Sequence, residues 1–238
     1  MQPLLQASSL TKRFGGFTAL DQINISVSMG ERLGLIGPNG SGKTTFINCI
    51  SGALRNDSGT IMFDGADISA LPAHQRIRRG IARSFQIPKP FPSMTVRENL
   101  LIPSEFGSAG ARSKDAQSPE EVLALIGLTE KVNETAKDLT QVELRKLELA
   151  RAVAANPKLL ISDEAMAGLS NAEVDDILDI LFSLNARGIT IIMIEHIMRA
   201  VMHFSERVVV LDAGHKIADD EPGTVAQDPR VQQAYFGD

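Results

Sequence analysis

The run Gly37-Pro-Asn-Gly-Ser-Gly-Lys-Thr-Thr45 constrains what the rest of the chain can fold into. It follows an apolar run, Leu33-Gly-Leu-Ile36, that reads as a strand, and it opens onto a helical pattern, Phe46-Ile-Asn-Cys-Ile50. Between a strand and a helix, the spacing G-x-x-x-x-G-K-[ST] means a phosphate-binding loop. Glycines at 37, 40 and 42 let the backbone take positive φ and turn successive N–H groups toward an anion. The helix beginning near Lys43 adds the positive end of its dipole. Lys43 is placed to reach the β- and γ-phosphates of a nucleotide, and the Thr44 hydroxyl to ligate Mg²⁺. The candidate nucleotide contacts are Gly37, Pro38, Asn39, Gly40, Ser41, Gly42, Lys43, Thr44 and Thr45.

Ahead of the loop, residues 4–35 alternate like half-buried strands: Leu4 to Leu10, a turn at Gly15-Gly16, Ala19 to Val27, then a tight turn at Met29-Gly30-Glu31. Short strands in series predict an antiparallel sheet. Phe14 reads either as a solvent-side aromatic able to stack on a base or as a core or turn residue. After the loop, Gly59 to Ile68 reads as two strands joined at Asp64-Gly65, and Pro72 opens a short basic helix over 73–79. The strand-like Ile81 to Gln86 then runs into a break with three prolines between Ile87 and Pro92. A glutamine there is either a hinge carrying a ligand contact or an exposed strand end.

A capping-box pattern at Thr95-x-x-Glu98 predicts a helix to Leu101. Residues 103–119 have linker composition and are expected to be mobile, and a helix resumes over 120–126. The stretch from about 88 to 152 is thus expected to be helical. Two apolar strands return the chain to a core: Lys158 to Glu164, ending in two carboxylates, and Ile189 to His196, ending in a histidine. Helical patterns before and after them argue for an α/β protein with a parallel sheet, whose ligand lies at the carboxyl ends of the strands. Gly37, Gln86, Asp163 and His196 are all expected at such ends.

The chain has 238 residues, a net charge of −5 and a sequence pI near 5.5, so no basic nucleic-acid footprint covers it. The first residues have neither the charged nor the apolar part of a secretory leader. The longest apolar run, Ile189 to Ile194, falls far short of the ~20 residues that span a bilayer. The single cysteine, Cys49, reads as core packing in a reducing cytoplasm. His74, His203 and His215 show no metal-ligand spacing.

In type, order and spacing, Gly37 to Thr45, Gln86, Leu159 to Glu164 and His196 resemble the ATP-binding subunits of ABC transporters over nearly the whole chain. Lys12 to Gly16, Gly80 to Gln86, Met94 to Asn99, Ala167 to Leu169 and Ile194 to His196 look like the ATPases of branched-chain amino acid importers. The resemblance implies a P-loop NTPase (RecA-like) core with an N-terminal antiparallel β subdomain, residues 1–87 and 153–238, and an inserted helical subdomain over about 88–152. Residues 1–238 would then form a single ATPase domain. It implies ATP and Mg²⁺, with Thr44, Gln86 and Asp163 around the metal and Glu164 as the general base. Gln86 would sense the γ-phosphate and relay it to a membrane subunit, His196 would contact that phosphate, and Phe14 would stack on adenine. These roles suit a phosphoryl transfer driven by positioning and charge neutralisation.

The implied function is ATP hydrolysis that powers uptake of branched-chain amino acids or related small solutes. The implied partners are two integral membrane permease subunits, a second ABC ATPase or a second copy of this chain, and indirectly a solute-binding protein, at the inner face of the cell membrane. A non-transport ABC ATPase, which would carry two fused cassettes or a basic arm, an ATPase for lipid or lipopolysaccharide export, and a phosphate-loop kinase are the other readings.

The chain departs from the family pattern at the signature, usually Leu-Ser-Gly-Gly-Gln. Alignment on Arg145 to Ala152 places Leu139-Thr-Gln-Val-Glu143 there. Thr140-x-x-Glu143 keeps a capping box, but both glycines are gone, Val142 is stiff and branched, and Glu143 adds a negative charge. In this family the signature of one subunit closes over ATP held by the other. The expectation is therefore a chain that hydrolyses ATP at its own phosphate loop with a different partner's signature, the partner's site being weaker. Ala165-Met166 for the common Pro-Thr, and Ser170 for a frequent Asp, also depart from the pattern.

Overall fold

The computed structural model describes residues 2–107 and 117–236. The elements run β1 (Leu5–Phe14), β2 (Phe17–Val27), β3 (Arg32–Ile36), α1 (Lys43–Ser51), β4 (Ser58–Phe63), β5 (Ala66–Asp67), α2 (Ala73–Arg78) and β6 (Ile81–Ser84). They continue α3 (Val96–Phe106), α4 (Pro119–Ile126), α5 (Gln141–Ala154), β7 (Leu159–Asp163), α6 (Asn171–Ala186) and β8 (Thr190–Ile194). The chain ends with α7 (Met198–Phe204), β9 (Arg207–Asp212), β10 (His215–Asp220), α8 (Pro222–Gln227) and α9 (Pro229–Phe236). Two compact units result: Met1–Arg76 with Ile192–Asp238, and Ile77–Ile191.

In the first unit a four-stranded sheet of order β2-β1-β4-β5 grows from the N-terminal alternation. β1 pairs antiparallel with β2, from Leu5 opposite Val27 to Phe14 opposite Phe17, and with β4, Leu5 lying opposite Phe63. Its register shifts after Ala7, where Ser9 takes φ 48°. At that kink Gly59 (φ 83°) lets β4 come so close that a Cβ would sit 2.4 Å from Ser9 O. The same unit holds β3 parallel to β9, with Leu33 opposite Arg207, and β9 antiparallel to β10 through the tight turn Ala213-Gly214. Both turn residues have positive φ, 43° and 81°, as a primed hairpin turn requires. Leu33 to Ile36 and Val208 to Leu211 are buried without alternation, the signature of strands covered on both faces.

In the second unit β6 and β7 run parallel, Ile81 opposite Leu159 through Ser84 opposite Ser162. The described residues between them form helices and two short 3₁₀ turns at Thr129–Lys131 and Ala136–Asp138. α3, α4, α5 and α6 each begin with a Ser or Thr whose hydroxyl accepts an N–H while a Glu three residues on accepts the cap's own N–H. Those pairs, Thr95/Glu98, Ser118/Glu121, Thr140/Glu143 and Ser170/Glu173, satisfy backbone donors that a helix start leaves over. Asn99 is fully buried and fastens the proline-rich segment to α3. Its Oδ1 accepts Phe91 N–H at 2.8 Å, and its Nδ2 donates to the carbonyls of Phe91, Met94 and Thr95.

One expectation fails at Pro103. The helix does not stop short of it but carries it inside α3 as far as Phe106. Pro103 removes one donor from the ladder, and Ser104 Oγ donates to Leu100 O at 2.7 Å in the same turn. Of the linker expected over 103–119, residues 108–116 lie outside the described part of the chain.

Candidate functional site

In the first unit the phosphate loop closes around its own lysine. β3 ends at Ile36 and α1 begins at Lys43. Between them Gly37, Gly40 and Gly42 take φ 148°, 81° and 108°. Two of these glycines are also sterically required: a Cβ at Gly37 would lie 2.0 Å from Leu211 O, and one at Gly42 2.7 Å from Ala19 O. Lys43 is buried, and its Nζ donates to Gly37 O at 2.6 Å and Pro38 O at 3.0 Å. The N-cap of α1 is Gly42, which has no side chain to cap the first turn, and a helix start of this kind turns N–H groups and the positive dipole end toward an anion. Among the described residues, Ser41 Oγ is buried without a hydrogen-bond partner. The orphan hydroxyl, the uncapped helix start and the exposed Thr44 together fit a phosphorylated ligand with its cation. Among the described residues no three His, Cys, Asp or Glu side chains cluster as a metal nest. Mg²⁺ needs none, because it is bound by one or two protein oxygens, substrate phosphates and retained waters.

Phe14, at the end of β1, is 48 % exposed, and Lys12 Nζ sits 5.4 Å from its ring centroid. It is therefore a surface aromatic rather than a core residue. His196 lies exposed two residues past the end of β8. Cys49 is fully buried, and burial pushes its thiol up to about 11, which leaves it inert.

The second unit carries the carboxylates. β7 ends at Asp163, and Glu164 follows with φ 48°, a left-handed conformation that costs a non-glycine residue of order 1 kcal/mol. The expected strand to Glu164 thus stops one residue early, and the turn aims the two acids differently. β6 likewise stops at Ser84, before Gln86. Gln86 Nε2 donates to Glu164 Oε2 at 2.5 Å, so these two sequence candidates meet directly. Asp163 is held by a residue that the sequence did not single out: Arg83 donates to its Oδ2 from Nε at 3.1 Å and Nη2 at 2.5 Å. Both side chains are only 11 % exposed, and the guanidinium also lies 5.0 Å from the Phe85 ring. No local pattern pointed to it: only the pairing of β6 beside β7 in the folded chain puts position 83 next to the acidic strand end.

Comparison with known proteins decides the family. The family model described as "ABC transporter" matches residues 20–167, more than half of the chain. The chain belongs to the ABC transporter family. It is 35 % identical to the high-affinity branched-chain amino acid transport ATP-binding protein BraF of Pseudomonas aeruginosa, over 100 % of this chain and 99 % of the relative. It is 37 % identical to the probable branched-chain amino acid transport ATP-binding protein LivG of Archaeoglobus fulgidus, over 98 % and 95 %. A solved ATP-binding cassette of an ABC transporter in its ADP conformation superposes with a TM-score of 0.89 at 33 % identity, covering 100 % of both chains. A dimeric cassette in a post-hydrolysis state with ADP and Pi superposes at 0.81 with 25 % identity, over 92 % and 98 %. This is the P-loop NTPase fold of ABC ATPases, and the chain is an ATP-hydrolysing subunit of that kind.

The segment expected at the signature, Leu139 to Glu143, is hydrogen-bonded within itself at the start of α5. Thr140 caps α5, and Glu143 Oε2 accepts both Thr140 N–H and Thr140 Oγ–H at 2.8 Å. Those hydrogen bonds, the backbone one first, hold the Glu143 carboxyl below its ordinary range, with Lys131 3.4 Å away. The expected capping box is present. On the alignment that sets Leu139 to Glu143 at the signature, Gln141 and Val142 stand where the pattern has glycines, and Glu143 where it has glutamine. Arg145, one turn on, donates to Ala167 O at 3.3 Å and ties α5 to the turn that follows the acids.

Proposed function

We propose that this ABC ATPase powers import of branched-chain amino acids or closely related small solutes, as a subunit bound to two integral membrane permeases at the inner face of the cell membrane. The observation that carries the reading is end-to-end similarity to branched-chain amino acid transport ATP-binding proteins. No described helix is long and apolar enough to cross a membrane, which suits a subunit that leaves the crossing to other chains. In this reading residues 1–238 act as one ATPase domain. Lys43 and the amides of Gly37 to Thr45 bind the phosphates of ATP, and Phe14 stacks on the adenine. Thr44, Gln86 and Asp163 would hold Mg²⁺, which would supply positive charge to offset that of the phosphates. Glu164 takes a proton from the attacking water, and His196 contacts the γ-phosphate. The Gln86 to Glu164 hydrogen bond supports a shared role for those two.

The signature change adds a prediction about partners. With Val142 and Glu143 at the α5 start, a second copy of this chain would bring a poor lid to the nucleotide. The ATPase partner is therefore a different chain with an intact Leu-Ser-Gly-Gly-Gln, and a solute-binding protein acts on the complex from outside. Affinity purification of this chain from detergent-solubilised membranes, with mass identification, is expected to recover two permeases and one such ATPase. Recovery of a soluble homodimer alone would overturn both the importer and the partner assignments.

A further inference from the structure

The C-terminal helix reaches the nucleotide loop within the first unit. Gly37, the first residue of the loop, donates its N–H to Tyr235 Oη at 2.7 Å, a contact between residues 198 apart in sequence. Its carbonyl is gripped from the other side by Lys43, and its Cα is hemmed in by Leu211 O and Ser41 Oγ. The peptide environment of Gly37 is thereby fixed from several sides, with Tyr235 contributing from outside the loop and its flanking strands. The helix that carries it is well seated. Asp228 precedes α9, accepts Arg230 N–H at 2.8 Å and pairs with the Arg230 guanidinium at 2.7 Å. Val231, four residues before Tyr235 and so on the same face, is buried. α9 packs on α8 and β10. Burial raises the Tyr235 phenol above its ordinary range, so the hydroxyl stays neutral and serves as an acceptor at physiological pH.

We propose that Tyr235 is a positioning residue for nucleotide binding: its hydroxyl holds Gly37 in the conformation that receives phosphate, which couples the seating of α9 to occupancy of the loop. The inference rests on the reading of residues 37–45 as the nucleotide site. A preset loop binds more tightly because less ordering remains to be done on binding. Removing the hydroxyl leaves the buried Gly37 N–H without an acceptor, a loss worth about one hydrogen bond or a five- to tenfold change in affinity. Coupling of this kind is reciprocal, so bound nucleotide stabilises the seated helix by the same factor.

The test is calorimetric titration of the full chain with MgADP, for the wild type, Tyr235→Phe and Lys43→Ala, together with amide hydrogen exchange over residues 229–236 with and without saturating MgADP. The expected result is binding by the wild type, loss in Lys43→Ala, five- to tenfold weaker binding in Tyr235→Phe, and slower exchange in α9 by a similar factor. Equal affinities of wild type and Tyr235→Phe overturn the role of Tyr235 alone, even where the variant melts earlier, because a merely structural hydroxyl would move stability and not affinity. Unchanged exchange in the wild type overturns it without recourse to any variant. A wild type that binds no MgADP overturns the nucleotide reading itself.

Discussion

Replacing Glu164 by Gln is expected to lower ATP turnover by about three orders of magnitude, within the usual range for loss of a general base, while MgATP affinity stays within about threefold. The size of the effect follows from what the substitution changes and what it keeps. An amide cannot take the proton of an attacking water, whereas an oxyanion placed beside it can. The amide matches the carboxylate in volume, and its oxygen can still accept from Gln86 Nε2, the contact that Glu164 makes at 2.5 Å. The left-handed backbone at φ 48° suits Gln no worse than Glu. Phosphate release under single-turnover conditions, read beside equilibrium binding, separates the two quantities. A variant that keeps its turnover would remove Glu164 from the chemistry and leave the strain at that residue without a functional account.

The second large effect concerns stability. Arg76 is 1 % exposed, and the Asp67 carboxylate acts on it only through space. Its guanidinium is instead spent on four carbonyl oxygens: Cys49 O at 2.6 Å, Ile50 O at 2.9 Å, Leu71 O at 2.8 Å and Ser69 O at 3.1 Å. Two of those belong to the last turn of α1, whose carbonyls lack partners inside the helix and which has no basic residue of its own there. Arg76 therefore acts as a C-terminal cap for the helix that begins with Lys43, and its charge complements the negative end of the dipole. Arg76→Met preserves much of the volume and strands two buried and two part-buried acceptors, at a cost of about 4 kcal/mol. For a chain of this size that lowers the melting temperature by roughly 8–16 °C. Arg76→Lys keeps the charge without the planar fork and is expected to fall between the two. Thermal unfolding followed by circular dichroism measures the series, and a melting point unchanged in Arg76→Met would refute the capping role.

These two residues also show what the sequence could and could not convey. The local form of residues 37–45 was legible because its pattern is contiguous: the strand end, the positive-φ glycines and the helix start follow one another in sequence. The capping boxes at Thr95 and Thr140 were legible for the same reason, since donor and acceptor lie three residues apart. Arg76 read as part of a short basic helix, and only the packing of α2 against the end of α1 turns that surface-looking charge inward. Arg83 and Tyr235 were invisible because their partners, Asp163 and Gly37, lie 80 and 198 positions away. Pro103 misled in the other direction: the sequence stopped the helix where a single missing donor is tolerated inside α3.

The most direct measurement of the central claim is ATP-driven uptake of labelled leucine by proteoliposomes that contain this chain with its co-purified permeases and partner ATPase, with the solute-binding protein supplied outside. Accumulation is expected that needs ATP on this chain's side of the membrane and disappears with Glu164→Gln. Hydrolysis without accumulation of any branched-chain amino acid would contradict it.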